Sequence, residues 1–558
     1  MQKKIFSILI ILLLTSFIAS SCTNNDNIFS KFTSVIIYSS KDGIHDADFS
    51  GQNNKLLVSK DSILMFYDNK EAFNKVLSSP IGISTDKRTL FFYVTLNKRP
   101  QEAGDIAETT RYCQDLFSVD ANGSNLKKLT NEKFECLTNY FSSDRTYVAF
   151  IAYVAFIGTS MQKEAIYILR MTDGNLKRVT PWYNDTSNTD GLTFAGITEP
   201  LTFSKDCKKI FFVAKNKNGN RYDLNMLDIE TGNLKIVVSD AIDIAIHGWS
   251  PNGKMLTFAI TISGNRWINR KDKLCVINND GSDFKEVTAE LYQIFSVKWS
   301  GDSSKILFNY LGEPEMKCPP IPKNQFLSVV DSKGTGFKDY GGYDTIQGYW
   351  AVDGNKIVAV IGTFGYQCEG EIGSKEAIYI INSGSMDPLR ITQYYDSIDK
   401  LIFDPIDSNK IFFTAGIFPY FNTLRILNLN NKSIQTMKSF EDNQDIADIV
   451  FSSDYEKYFI HAVRTTFKDD VEGTASLYVY NTDTNALISK FDGVNEYLYN
   501  IGWIDKQKIA FMKGVAKFGD IEGNLGSICI FDLLTGKILE LTPASIDLIY
   551  DWWIADIN

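Results

Sequence analysis

The chain has 558 residues, 44% of them apolar and 22% charged, with a formal net charge of −10. That much apolar side chain excludes a low-complexity disordered protein, and an acidic balance without basic blocks argues against nucleic acid as a partner. Aromatics at 13%, with 27 Tyr and 38 Phe against 13 Pro, favour strands over helices, and only three histidines (His45, His247, His461) are spread along the chain.

The first segment reads as an address. Lys3 and Lys4 precede an apolar run from Ile5 to Leu14 that weakens toward Ile18. A short charged region before a short apolar one is the pattern of a secretory signal, and the run falls short of the roughly 20 residues that span a membrane. It ends in Ala19-Ser20-Ser21-Cys22, small residues before a cysteine, which resembles a bacterial lipobox. That resemblance implies lipid attachment at Cys22, with residues 1–21 removed as a lipoprotein signal peptide and 22–32 acting as a polar tether. The alternative is an ordinary signal peptide with a chance cysteine. Export recasts the other seven cysteines, because disulfides persist outside the cytoplasm. Seven is odd, so at least one thiol stays free, and no CxxC pair points to zinc or redox chemistry.

From residue 45 onward one pattern recurs. An apolar strand ends in an aromatic and Ser, a turn of Asp, Gly, Asn or Lys follows, and a second apolar strand begins. Examples are Trp249-Ser-Pro-Asn-Gly-Lys-Met-Leu and Trp299-Ser-Gly-Asp-Ser-Ser-Lys-Ile, with further copies at Phe141, Phe203, Trp350, Phe403, Phe451 and Trp503 and weaker ones at Phe49 and Ile83. A second turn alternates with the first, as in Asn122-Gly123, Asp173-Gly174, Thr231-Gly232, Asp280-Gly281 and Thr535-Gly536, and leads into short strands ending in Leu-Thr or Val-Thr. Turns of this kind between apolar runs mark hairpins. A period of about 50 residues with four strands per unit is the arithmetic of a β-propeller, whose blades bury their faces only by stacking on neighbours. The fold class is therefore all-β. Residues 33–558 form a propeller of four-stranded antiparallel blades, about eight to ten repeats in one ring, with two smaller fused propellers as the alternative. Trp249, Trp299, Trp350 and Trp503 sit on strands and read as core.

The string of Asp-Gly, Leu-Thr and Trp-Ser-Pro-Asn-Gly-Lys is similar to the TolB-type propeller repeat, a relative of WD repeats that also occurs in dipeptidyl-peptidase-like serine proteases. The resemblance covers nearly the whole mature chain and belongs to the blade rather than to an activity. The repeats run to about residue 543, leaving no room for the α/β-hydrolase domain of the peptidases.

With blade strands A to D running outward from the axis, the A–B and C–D turns are tight. The long segments 96–111, 180–200, 261–272, 311–325, 362–375, 467–474 and 513–526 fall at B–C or D–A positions, so insertions gather on one face. Several of them carry aromatics that could anchor a partner: Trp182, Tyr183, Trp267, Tyr366, Tyr394, Tyr395, Phe418 and Tyr420. Cys318 and Cys368 lie in B–C connections of consecutive blades and form the first disulfide candidate; Cys113 and Cys136, flanking one hairpin, form the second.

No catalytic motif is present. G-x-S-x-G and H-E-x-x-H are absent, and the placeable aspartates sit in turns, where they bond their own backbone. No catalytic, cofactor-binding or metal-binding residue is assigned. The reading is a lipid-anchored propeller of the cell envelope that binds a protein or peptide through its B–C/D–A face, touching the membrane through the N-terminal lipid only. The alternative is a carbohydrate-binding or glycan-processing surface propeller.

Overall fold

A computed structural model describes residues 10–12, 35–40, 42–48, 54–67, 73–98, 112–130, 137–155, 162–181, 183–184, 197–216, 221–264, 270–313, 324–351, 354, 356–365, 373–382, 388–417, 420–440, 444–464, 474–492, 497–514 and 526–541. Within them the repeat emerges as nine consecutive four-stranded antiparallel units, here units 2 to 10, spanning 73–128, 137–178, 197–241, 243–286, 291–343, 345–390, 397–439, 444–492 and 497–540. Each runs A-B-C-D in chain order, as the alternating turns predicted. Unit 1 departs from the repeat. It holds strands Val35–Ser40, Gly43–Asp48 and Asn54–Ser59, followed by a five-residue helix, Lys60–Leu64. Its fourth strand is Ile10–Leu12, inside the expected signal segment and antiparallel to Val35–Ser40.

The B strands show why the sheets stack. In unit 4, Ile210, Phe212 and Ala214 pack into one apolar cluster with unit 3, while the alternating Phe211 and Val213 pack into another with unit 5. A strand buried on both faces must be apolar at every position, which explains runs such as Ile210-Phe-Phe-Val-Ala214. Each such side chain contributes roughly 1.5–3 kcal/mol by leaving water. Among the described residues, nine clusters of this kind join every consecutive pair of units from 1 to 10. The fold is a β-propeller.

The strand tryptophans lie at these junctions. Trp503 is buried, and Trp249, Trp299 and Trp350 pack at the margins of their clusters. Three of the indoles tie a unit to the one before it: Trp249 Nε1 donates to Thr202 Oγ1 (3.0 Å), Trp350 Nε1 to the Lys298 carbonyl (3.1 Å) and Trp503 Nε1 to the Val450 carbonyl (3.2 Å). The outer D strands, several only two to four residues long, carry Lys or Arg, including Lys128, Lys177, Lys235, Lys285, Arg390 and Lys537, which discourages edge-to-edge pairing.

Candidate interaction face

The two ends of the sheets differ. At the A–B end of units 2, 3, 4, 5, 6 and 9 a Ser opens the turn and an Asp (Asn in unit 5) follows two residues later. In unit 6, Ser300 Oγ donates to Asp302 (2.6 Å) and accepts the Lys305 N–H (2.9 Å), while Asp302 accepts the Ser304 N–H (3.0 Å). The same bonds recur from Ser84, Ser142, Ser204, Ser250 and Ser452. The residue after the acid takes positive φ: Lys87, Arg145, Cys207, Gly253, Ser303 and Tyr455 all fall between 57° and 70°. Hydrogen bonds from the Ser300 hydroxyl and from the Ser304 N–H and hydroxyl hold Asp302 down to about 2. This end is closed by near-identical turns.

The opposite end is built for variation. Segments 96–111, 261–272, 311–325, 362–375, 467–474 and 513–526 each join a B strand to a C strand, and 180–200 joins a D strand to the next A strand. In an antiparallel sheet these connections share one end, as the sequence predicted.

Carboxylates fasten the sheets at that end. Each A strand of units 4, 5, 6, 8 and 9 carries, within its first four residues, a buried Ile whose N–H needs an acceptor. Glu164 of unit 3 accepts the Ile197 N–H (2.7 Å), Asp272 of unit 5 that of Ile294 (3.0 Å) and Glu376 of unit 7 that of Ile398 (2.6 Å). In units 5 and 9 the acid stands just before the Ile: Asp243 accepts the Ile244 N–H (3.0 Å), and Asp445 bonds the Ile446 N–H. Burial raises Glu376 above its ordinary value, against the bonds from Ile398 and Ser397. Asp272 is fully buried and also binds Arg270 Nε (2.7 Å) and Thr261 Oγ1 (2.8 Å), while Arg270 reaches Asp243 (3.1 Å). A Thr completes the C strand two residues beyond each of the first three acids: Thr180, Thr288 and Thr392 Oγ1 accept the N–H groups of Ile166, Leu274 and Ile378. Sequence reasoning missed these latches. The signal was present as an acid two residues before an apolar C-strand position and a Thr sixteen residues after the acid.

Of the proposed anchors, Tyr394 and Tyr395 are described in full, on the D–A connection between units 7 and 8. Tyr394 is 46% exposed, with its hydroxyl 3.3 Å from that of Tyr379 and its ring under the Arg390 guanidinium, 4.6 Å from the centroid. Burial, then the Tyr394 hydroxyl, pushes Tyr379 up to about 12. Tyr395 is half-buried against Phe413 and lies under Arg425, 5.1 Å from the ring centroid. Tyr183 and Tyr420 are placed by backbone alone, opposite Glu164 and Ile417. Trp182, Trp267, Tyr366 and Phe418 lie outside the described residues, as do Cys22, Cys136, Cys318 and Cys368. Cys113 pairs by backbone with Leu96 at the loop end. Cys207, Cys275 and Cys529 are buried, and burial pushes the Cys275 thiol up to about 12.

Burial, then the Arg270 charge, pushes His247 down to about 4, and burial does the same to His461. Both are neutral at pH 7, with buried Nε2 atoms that have no partner among the described residues. Among those residues no group of three His, Cys, Asp or Glu side chains is arranged to hold a metal, and no helix is long and apolar enough to cross a membrane.

No protein-family model and no curated protein matches the chain. Solved structures do. They include TolB from Acinetobacter baumannii (16% identity, 64% of this chain and 79% of that one, TM-score 0.25). The β-propeller domain of the Trilobed protease from Pyrococcus furiosus is similar at 14% identity, 74% and 99% coverage and TM-score 0.32. An oligogalacturonate lyase in complex with manganese is similar at 15% identity, 70% and 97% coverage and TM-score 0.34. The fold is a β-propeller, on the evidence of its stacked four-stranded sheets. At these identities the likeness is one of fold alone.

Proposed function

We propose that the protein is a lipid-anchored propeller of the cell envelope that binds a protein or peptide partner through the B–C/D–A end of its sheets. The observation that carries this reading is the asymmetry of the two ends: one closed by repeated Ser-x-Asp turns, the other carrying the long connections, three of which (180–200, 261–272 and 362–375) adjoin a carboxylate that fastens the next A strand. Rigid sheets presenting variable loops are the usual basis of recognition surfaces. The anchor is Cys22, with 1–21 removed, and 22–32 is the polar tether that lets the propeller stand off the membrane. Removal of 1–21 would also take away strand Ile10–Leu12.

Two measurements test the reading. Cys22→Ser should release a soluble protein or leave an unprocessed precursor, and unchanged membrane fractionation with full processing would refute the anchor. A photo-crosslinker at Ile417, 71% exposed at the loop end of unit 8, should yield a protein adduct, whereas one at Asp302, on the Ser-x-Asp end, should not. Equal adducts from both positions would refute the assignment of the face.

A further inference from the structure

The junction of units 7 and 8 holds two arginines without acids. Arg390, on the D strand of unit 7, is exposed and stacks on Tyr394; Arg425, on the C strand of unit 8, stacks on Tyr395 and donates to Thr436 Oγ1 (3.0 Å). Among the described residues neither pairs with a carboxylate, and Arg425 Nε is buried without a partner. This is notable in a chain of net charge −10, where Arg170 and Arg270 are each bonded to aspartate. The nearby acids are engaged elsewhere: Asp396 with Lys375 (2.6 Å), and Glu376 with the Ile398 N–H. A guanidinium over a tyrosine ring, as at 4.6 and 5.1 Å from the Tyr394 and Tyr395 centroids, still has terminal N–H groups that a carboxylate can accept.

We propose that the shelf formed by Tyr394, Arg390 and Arg425 docks an acidic peptide segment of the partner, its carboxylates pairing with the two guanidiniums and its chain crossing the exposed tyrosine. The proposal rests on the protein-binding reading above and names the partner chemistry of one part of that face. The two guanidiniums cover rings of adjacent residues. At about 3.4 Å per extended residue, a segment of fewer than ten residues spans both. Charge complementarity favours peptide carboxylates, and the tyrosine supplies contact area at small entropic cost.

The test uses the full chain and fluorescein-labelled decaglutamate, with decaglutamine and polygalacturonate as comparison probes, read by fluorescence anisotropy. Decaglutamate should bind and decaglutamine should not, and added salt should weaken binding. Arg390→Gln and Arg425→Gln should each weaken binding about tenfold, the loss of one charge-assisted pair. Tyr394→Ala should weaken it as well, while Tyr394→Phe, which keeps the stack, should not. Equal binding of the two peptides, preference for polygalacturonate, or unchanged affinity in the Arg390→Gln/Arg425→Gln variant would overturn the proposal. Crosslinking from Ile417 separates the two readings. A protein adduct unaffected by the double variant overturns the acidic-peptide shelf alone, whereas absence of any adduct from the unmodified face overturns the binding-face reading with it.

Discussion

The Asp272 latch makes a quantitative claim. Its carboxylate is fully buried and serves Arg270, Thr261 and the Ile294 N–H at 2.7–3.0 Å, bridging units 5 and 6, whose sheets are continuous at this point. Asp272→Ala removes all three bonds at once. It leaves Arg270, itself 12% exposed, with Asp243 as its remaining acid, and it orphans an amide beside the 4% exposed Ile294. The unsatisfied amide alone costs about 1–3 kcal/mol, and breaking a buried ion pair from one side costs up to about 3–5 kcal/mol, an upper bound here because Arg270 keeps Asp243. Asp272→Asn keeps an acceptor for Ile294 and should lose less. Urea denaturation followed by tryptophan fluorescence measures the loss, and a double-mutant cycle with Arg270→Ala isolates the pair. Hydrogen exchange should show faster opening of Leu291–Trp299. Additivity of the two single variants to within about 0.5 kcal/mol, with exchange unchanged, would refute the latch.

The tryptophans offer an internal comparison: Trp350→Phe and Trp503→Phe remove the indole bonds to the Lys298 and Val450 carbonyls, whereas Trp299 Nε1 is already buried without a partner. The first two should destabilise by about 0.5–1.5 kcal/mol more than Trp299→Phe, and equal losses in denaturation would contradict the assigned bonds. Asp302, lowered to about 2, stabilises the fold above its unfolded value near 3.9, and that stability disappears as pH falls through 2. The gap between wild type and Asp302→Asn should hold constant above pH 5 and close between pH 4 and 2; a gap independent of pH would refute the turn. A Cys318–Cys368 bridge would close a loop of about 50 residues worth roughly 4 kcal/mol, and non-reducing peptide mapping that finds both thiols free would reject it. Removal of 1–21 bares the edge of Val35–Ser40, and we propose that 549–553, with its two tryptophans, takes that edge; deletion of 546–558 should then lower the melting temperature of the whole propeller, and an unchanged melt would make the tail an appendage.

The fold was legible because its signals are local and repeated. Trp299-Ser-Gly-Asp announces a turn whose four polar atoms satisfy one another within six residues, so the motif needs no tertiary context. Val-Thr at the D-strand end was legible as punctuation but not as chemistry: that Thr288 caps the Leu274 amide appears only when the C and D strands pair. The carboxylate latches were harder still. Glu164 meets Ile197 across 33 residues, but Asp272 and Glu376 meet their Ile partners across 22, because the long D–A connection of unit 3 intervenes. Inserted residues erase the period where the loops vary. Tyr394 and Tyr395, adjacent and equally aromatic, divided between surface and core because the connection turns one ring outward and the other against Phe413.

The latches and the loops have a common logic. A connection can lengthen freely, because closing a longer loop costs little, about 0.6 kcal/mol per doubling. It can do so only if the strands it joins hold their register without it. Glu164, Asp272 and Glu376 set the start of the next A strand from the body of the preceding sheet, and Thr180, Thr288 and Thr392 hold the C strand against the D strand. Register at the loop end is thereby fixed by side chains rooted in the strands. At the other end Ser300 and Asp302 spend the same kind of bonds inside the turn itself, so a change in turn length would break them. The end that can change is the one whose hydrogen bonds do not pass through its loops.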